Sequence, residues 1–373
     1  MHLTLPEPGT PLDDVDTPAL ILDLDALDRN ISKMAAFAAK AGVQLRPHTK
    51  THKCPAIARR QIAAGAVGQC VQKVGEAEAL VAAGIADILI SNEIVGESKL
   101  RRIAEIAREA TIALCFDDAD QIAIAGLIFA QAGVTVGGLV EIEVGSSRCG
   151  VSPGKAAAEL AQRIADTEGL HFKGLQAYQG RAQHLPTYGE RRAAINGAQA
   201  AVRETLDALG RAGLSCDIVG GAGTGTFQLE AASGLYNELQ VGSYVFMDTD
   251  YARIEDEDGE RFARFEHALF VLATVMSRPA PDRAIVDAGL KSYTMEKGPP
   301  WIYGISGLEV VAASDEHGNL RLGPDAPALV LGNKLRLIPG HCDPTVNLHD
   351  HIIGYRGDVV TEILHVTARG ASR

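Results

Sequence analysis

Two stretches of this chain gather side chains that could do chemistry, and they lie far apart in sequence. The first, Arg46-Pro47-His48-Thr49-Lys50-Thr51-His52-Lys53, sets three cationic side chains and two histidines at the end of an apolar run. Crowding by other cations disfavours the ammonium form of a lysine, and the neutral amine is the form that attacks an aldehyde such as pyridoxal phosphate. Lys50 is the first candidate for such a lysine and Lys53 the second; a solvated basic loop is the competing reading. Unless something anionic sits there, the cluster is costly. The second stretch is Gly340-His341-Cys342-Asp343-Pro344-Thr345-Val346-Asn347-Leu348-His349-Asp350. In extended chain, residues two apart point the same way, so His341 and Asp343 would share a face and Cys342 the other. Imidazole with carboxylate suits Mn2+, Mg2+ or Co2+. His349 and Asp350 are weaker candidate ligands, and a plain polar turn competes with the whole reading.

Between these stretches lies Gly220-Gly221-Ala222-Gly223-Thr224-Gly225-Thr226, whose backbone amides carry little side-chain cover. Such a loop can bind phosphate, and Gly242-Ser243-Tyr244 follows one strand later. A dinucleotide reading fails for want of a suitable GxGxxG register and a following acidic residue. Arg148 sits in a glycine-flanked turn, where it could meet a cofactor ring or a carboxylate. Tyr178 ends a strand, and His184 lies where a general base would be useful. No GxSxG, Walker or HExxH motif occurs, so serine hydrolase, P-loop and zincin chemistry have no support.

The elements that must position these residues alternate. Strands are expected near 44–48, 67–71, 87–91, 111–116, 137–144, 173–178, 216–220 and 237–244, with alanine-rich helices between. Eight strand–helix units of this kind predict an α/β fold, a (β/α)8 barrel. Lys50 then falls at the carboxyl end of the first strand, and the glycine loop after the seventh. Past Tyr251 the alternation gives way to strand-like segments, which predicts a second, mainly β domain. The boundaries are 25–250 for the barrel and 1–24 plus 251–373 for the β-rich part, strand 19–24 joining the later sheet.

The chain has 373 residues, 46% hydrophobic and 22% charged, with a net charge of −12. That length exceeds one barrel, and that charge excludes a general nucleic-acid binder. Six cysteines without CxxC pairing suit reduced thiols and a cytoplasmic setting. No apolar run reaches membrane-spanning length, and the first six residues do not read as a signal peptide.

With these motifs in hand, the chain resembles the D-threonine aldolases and 3-hydroxy-D-aspartate aldolases among the fold type III, alanine-racemase-like pyridoxal-phosphate enzymes. The likeness rests on Asp16-Thr17-Pro18, Arg46 to Lys50, Gln72-Lys73-Val74, Ser91-Asn92-Glu93, Gly145 to Gly150, Gly220 to Gly225, Glu238-Leu239-Gln240 and His341 to Thr345. It implies that Lys50 carries pyridoxal 5'-phosphate and that Gln72, Arg148 and Tyr178 contact the cofactor. Gly221, Ala222, Gly223, Thr224, Gly242, Ser243 and Tyr244 hold the phosphate. It further implies a divalent cation, Mn2+ first, on His341 and Asp343. His184, or a hydroxide on the metal, is the base of a retro-aldol cleavage of D-3-hydroxy-α-amino acids to glycine and an aldehyde. The related enzymes are homodimers. D-Serine dehydratases of this group carry cysteine where Asp343 stands, which favours the aldolase branch. Tyr178-Gln179-Gly180-Arg181 departs from the Tyr-His-Gly of many D-threonine aldolases and looks more like the 3-hydroxy-D-aspartate aldolases, which release glyoxylate. Against the aldolase reading stand a dehydratase, which would eliminate the β-hydroxyl as water, and a non-catalytic cofactor carrier built on the same barrel.

Overall fold

The computed structural model describes residues 5–373; residues 1–4, which belong to the amino-terminal stretch tested for a signal peptide, lie outside the described residues. Strand β1 (Ala19–Asp23) is apolar and buried except at Asp23, and that aspartate starts the next helix. Its carboxylate accepts from the Asp25 and Ala26 amides at 3.0 Å, pairing two amides that a helix start leaves free. Helix α1 (Leu24–Ala41) buries Leu27, Ile31, Met34 and Ala38 on one face. It stops at Gly42, whose φ of 68° lies in the left-handed region that glycine enters freely.

Eight parallel strands follow: β2 (Gln44–Leu45), β3 (Gln69–Val71), β4 (Asp87–Glu93), β5 (Thr111–Phe116), β6 (Val136–Glu141), β7 (Leu170–Gln176), β8 (Ile218–Gly221) and β9 (Glu238–Leu239). Neighbours in this order pair in parallel from β3 to β9, and β9 pairs β2. The ring closes just beyond β2, where the Cys70 amide donates to the Pro47 carbonyl at 2.8 Å and His48 bridges Cys70. The lysine-bearing stretch is therefore the seam of the barrel. Two expected strands, 44–48 and 237–244, are shorter than the apolar pattern implied. Pro47 has no amide for a ladder, and the chain winds into a tight turn at Ser243–Val245.

Inside the barrel Cys70, Leu89, Cys115 and Leu139 form a thin apolar plug. Above it Gln176 and Gln240 exchange amide hydrogen bonds of 2.8 and 2.9 Å, floored by Gly220, where a Cβ would come 2.5 Å from Gln240. Below it Arg46, 6% exposed, donates Nε to Glu238 at 2.9 Å and Nη1 to Asp87 at 2.6 Å. One guanidinium thus ties β2, β9 and β4. Lys53, also buried, pairs with Glu76. The cost expected of the basic cluster is thus met, at Arg46 and Lys53, by the protein's own carboxylates.

The remaining strands are β10 (Leu269–Ala280), β11 (Arg283–Val286), β12 (Trp301–Ile302), β13 (Leu308–Ala313), β14 (Gly318–Leu322), β15 (Lys334–Ile338), β16 (His351–Arg356) and β17 (Val359–His365). With β1 they make a nine-stranded sheet in which β1 lies between β10, antiparallel, and β16, parallel. The polar strand β14 and the two-residue β12 carry too little alternation to be read from sequence. Leu20, Leu22, Val271, Leu335, Leu337 and Ile352 bury one face against α1 and the loops after β9, each worth about 1.5–3 kcal/mol.

Replacing Arg46 by methionine leaves Glu238 buried without its cation. Denaturant unfolding at pH 7 is expected to show a loss of about 3–5 kcal/mol, against a small change for Arg101→Met, whose partner Glu97 is exposed.

Candidate active site

Lys50 stands in a tight turn, Thr49–Thr51, at the carboxyl end of the barrel. The turn is set by His48, whose Nδ1 accepts from the Lys50 amide at 3.3 Å, so that the Nδ1 lone pair is free and the ring is not doubly protonated there. Burial and the neighbouring Lys50 hold His48 well below its usual pKa, as a neutral ring requires. Lys50 lines a cavity with Gln72, Arg148, Tyr178, Thr224 and Gly242. Lys53 does not reach it.

One expectation fails here. Burial does work against the Lys50 ammonium, but Asp343 and then Tyr178 outweigh it, and the pKa is raised rather than lowered. The reason is geometric: Asp343 Oδ2 lies 3.7 Å from Lys50 Nζ, while the crowding cations Arg46 and Lys53 are neutralised by their own partners.

Asp343 comes from the far stretch of sequence, and its local setting differs from the extended chain expected. Residues Cys342–Val346 form a short helix with His341 at its N-cap. The pair still converges, His341 Nε2 lying 4.0 Å from Asp343 Oδ1. That oxygen accepts from the Thr51 hydroxyl at 2.8 Å, so the turn carrying Lys50 is bonded directly to it. On its other side, His341 Nδ1 lies 2.7 Å from Glu296 Oε1, which puts the hydrogen on Nδ1 and leaves Nε2 as a donor to an ion. Imidazole and carboxylate so arranged fit a divalent cation. His349 and Asp350 are not part of this group: His349 bonds the Ser292 carbonyl at 2.8 Å and Asp350 pairs with Arg369 at 3.1 Å.

Of the glycine-rich positions, Gly223, Thr224, Gly242 and Ser243 line the cavity. Thr224 Oγ1 is buried without a hydrogen-bond partner among the described residues, an orphan that phosphate oxygens would satisfy. At Gly242 a Cβ would meet Thr51 Oγ1 at 2.8 Å, so glycine is needed for the backbone to pass the lysine turn. With the Lys50 amine beside them, these groups fit a phosphorylated pyridine aldehyde. Gly221 and Ala222 lie behind the lining, Ala222 with a φ of 70° that turns the loop inward. The Tyr244 side chain belongs to the core, its ring 5.5 Å from Phe265 and its hydroxyl accepting from Gln61 at 3.1 Å, so a phosphate contact there would come from its backbone.

Arg148 stacks 5.8 Å from the Tyr178 ring, and its Nη2 is 3.4 Å from Glu141 Oε1. Gln72 Nε2 reaches the Ser91 carbonyl at 3.2 Å and lies 3.0 Å from His48. His184 ends the turn Arg181–His184, and its Nδ1 lies 2.7 Å from Asp250 Oδ2. Arg181 is exposed. Gln179, the departure noted in the sequence, clamps two loops instead of entering the cavity: it accepts from the Arg181 amide at 3.0 Å and donates to the Val144 carbonyl at 2.9 Å. Sequence reading missed Thr51, Glu296, Asp250 and Tyr251. An acidic pair and a tyrosine directly after the eighth unit, Asp248-Thr249-Asp250-Tyr251, was the available signal for the last two.

Residues 22–250 match the family described as alanine racemase, N-terminal domain, and residues 268–355 match the putative serine dehydratase domain. D-Threonine aldolase from an Arthrobacter species is 50% identical over 367 residues, 98% of this chain and 96% of its own. 3-Hydroxy-D-aspartate aldolase from Paracoccus denitrificans strain Pd 1222 is 44% identical, covering 97% and 94%. The crystal structure of D-threonine aldolase from Filomicrobium marinum superposes with a TM-score of 0.96 at 48% identity, covering 99% of this chain and 100% of that one.

Burial, then the neighbouring Glu93, raises the Glu141 carboxyl to about 8. Because its folded pKa exceeds the unfolded carboxylate value, folding takes up a proton, and the stability contributed is complete below about pH 4 and lost as pH rises through about 8. Glu141→Gln keeps a neutral hydrogen-bonding group there. Thermal unfolding of this variant is expected to match wild type at pH 5 and to exceed it by at least about 2 °C at pH 9.

Proposed function

Since the chain belongs to the D-threonine aldolase and 3-hydroxy-D-aspartate aldolase family of alanine-racemase-like pyridoxal-phosphate enzymes, we propose that it is a carbon–carbon lyase acting on D-3-hydroxy-α-amino acids. The products are glycine and an aldehyde. The observation that carries this reading is the meeting of Lys50, Thr51 and His341 around the Asp343 carboxylate. An amine for the cofactor and a hard pair for a cation are then neighbours, as a reaction on Cα and its β-hydroxyl needs.

When bound, pyridoxal phosphate supplies an electron sink for breaking the bond at Cα, and a divalent cation, Mn2+ first, supplies a Lewis acid for the β-hydroxyl. Lys50 is the residue that would hold the cofactor covalently. Thr224, Gly223, Gly242 and Ser243 would bind its phosphate, and Arg148, Tyr178 and Gln72 would fix its ring. His341 and Asp343 would hold the cation, with Glu296 orienting His341. His184 accepts the hydroxyl proton. Residues 25–250 form the cofactor-binding part, and 1–24 with 251–373 the part that brings the cation.

A second substrate reading, 3-hydroxy-D-aspartate with release of glyoxylate, is supported by the Paracoccus relative and by Arg181, exposed and positioned one turn before His184. A homodimer is supported by apolar side chains on the β-rich part, among them Val330 at 59% and Leu331 at 65% exposure. Six free cysteines suit a cytoplasmic setting, and no helix among the described residues is long and apolar enough to cross a membrane.

A panel of D-3-hydroxy amino acids, D-threonine and 3-hydroxy-D-aspartate included, is expected to yield glycine with Mn2+ and none after chelation, with cofactor absorbance retained. A 2-oxo acid in place of glycine would assign the dehydratase reaction. Lys50→Ala is expected to lose both glycine release and the absorbance near the visible edge; unchanged absorbance and turnover would remove Lys50 from its role.

A further inference from the structure

We infer that Asp250 is a positioning residue for the proposed base His184, fixing the ring hydrogen on Nδ1 and leaving Nε2 as the proton acceptor; this rests on the reading of His184 as the base. Asp250 Oδ2 lies 2.7 Å from His184 Nδ1. That oxygen is buried and has no well-aligned hydrogen bond among the described residues, the His184 contact being close in distance alone. Asp250 Oδ2 needs a hydrogen, and the imidazole edge facing it is the donor at hydrogen-bond distance. A neutral imidazole carries a single N–H, so committing it to Nδ1 strips Nε2 of hydrogen. Among the described residues, no protein group bonds to Nε2.

The carboxylate is itself held. Asp248 accepts from the Tyr251 amide through Oδ1 and from the Cys342 amide through Oδ2, both at 3.1 Å. The turn bearing Asp250 is thereby bonded to the helix start between His341 and Asp343. Tyr251 lines the cofactor cavity and lies 5.5 Å from the His184 ring. Lys297 Nζ lies 3.7 Å from the same Asp250 oxygen, and the Lys297 carbonyl accepts from Arg253. Burial raises the Asp250 pKa, but His184, Lys297 and His341 outweigh it and keep the carboxyl below its usual range. It remains an acceptor.

An amide at position 250 can donate to Nδ1, which favours the opposite tautomer. The test uses holoenzyme with Mn2+ and D-threonine or 3-hydroxy-D-aspartate, whichever is turned over. Asp250→Asn is expected to lower kcat by roughly 100-fold or more, with KM and cofactor absorbance unchanged. Nitrogen-15 NMR of histidine-labelled protein, with His184→Gln for assignment, is expected to show hydrogen on Nδ1 in wild type and on Nε2 in Asp250→Asn. Asp250→Glu restores the carboxylate and is expected to recover part of kcat and the wild-type tautomer. Three results overturn the inference: Asp250→Asn within about twofold of wild-type kcat, a loss of kcat matched by a loss of cofactor absorbance, or a wild-type spectrum with the His184 hydrogen on Nε2. The last stands whether or not the variant folds. Wild-type kcat in His184→Gln would instead remove the base reading, a separate outcome.

Discussion

The hydrogen bond from the Thr51 hydroxyl to Asp343, 2.8 Å long, is the contact on which the site depends. Thr51 belongs to the barrel seam and Asp343 to a short helix of the β-rich part, so this bond joins, at the site, two parts that fold from distant sequence. Lys50 is adjacent to one partner and His341 to the other. Neither half is a site alone. The barrel offers the Lys50 amine and the glycine-rich cavity lining, and the β-rich part offers an imidazole, a carboxylate and the Glu296 that orients the imidazole. Moving either by an ångström would separate groups that must act on adjacent atoms of one substrate.

Buried charge is handled consistently around this contact. Arg46 is matched by Glu238 and Asp87, and Lys53 by Glu76, which leaves Lys50 as the member of the basic stretch directed at the cavity. Arg191, 1% exposed, is handled by carbonyls instead, donating to Leu185, Pro186, Gly225 and Glu255. That guanidinium gathers the His184 turn and the glycine loop. Gln183 does the same from another side, accepting from the Gly225 amide at 3.0 Å and donating to Thr226 at 2.8 Å. The His184 turn and the glycine loop are therefore held by shared neighbours.

The barrel was legible because its strands are apolar on both faces and regularly spaced, as at Asp87–Glu93 and Val136–Glu141. Lys50, Arg148, Thr224, His341 and Asp343 could be singled out because each sits in a dense or glycine-flanked stretch. The charge state of Lys50 could not, since its controlling neighbour Asp343 is supplied by long-range folding. The direction of the Tyr244 ring was illegible for a related reason: loop position predicts where backbone lies, while packing against Phe265 decides where the ring goes. Thr51 carries no local signal, because a hydroxyl gains its role only from the partner that folding brings; Asp250 stands in a marked acidic stretch, but its neighbour His184 is likewise supplied by folding.

The closure of the barrel at Pro47, His48 and Cys70 has a mechanical corollary. A cylinder of strands strained by heat, denaturant or a cavity in its plug would part first where the pairing is thinnest, and here that place is two residues from the reactive amine. Integrity of the cylinder and competence of the amine are then one property. The colour of the loaded protein would report a loosened barrel while its helices were still intact, and selection acting on turnover would guard the plug of Cys70, Leu89, Cys115 and Leu139 as strictly as the reacting groups.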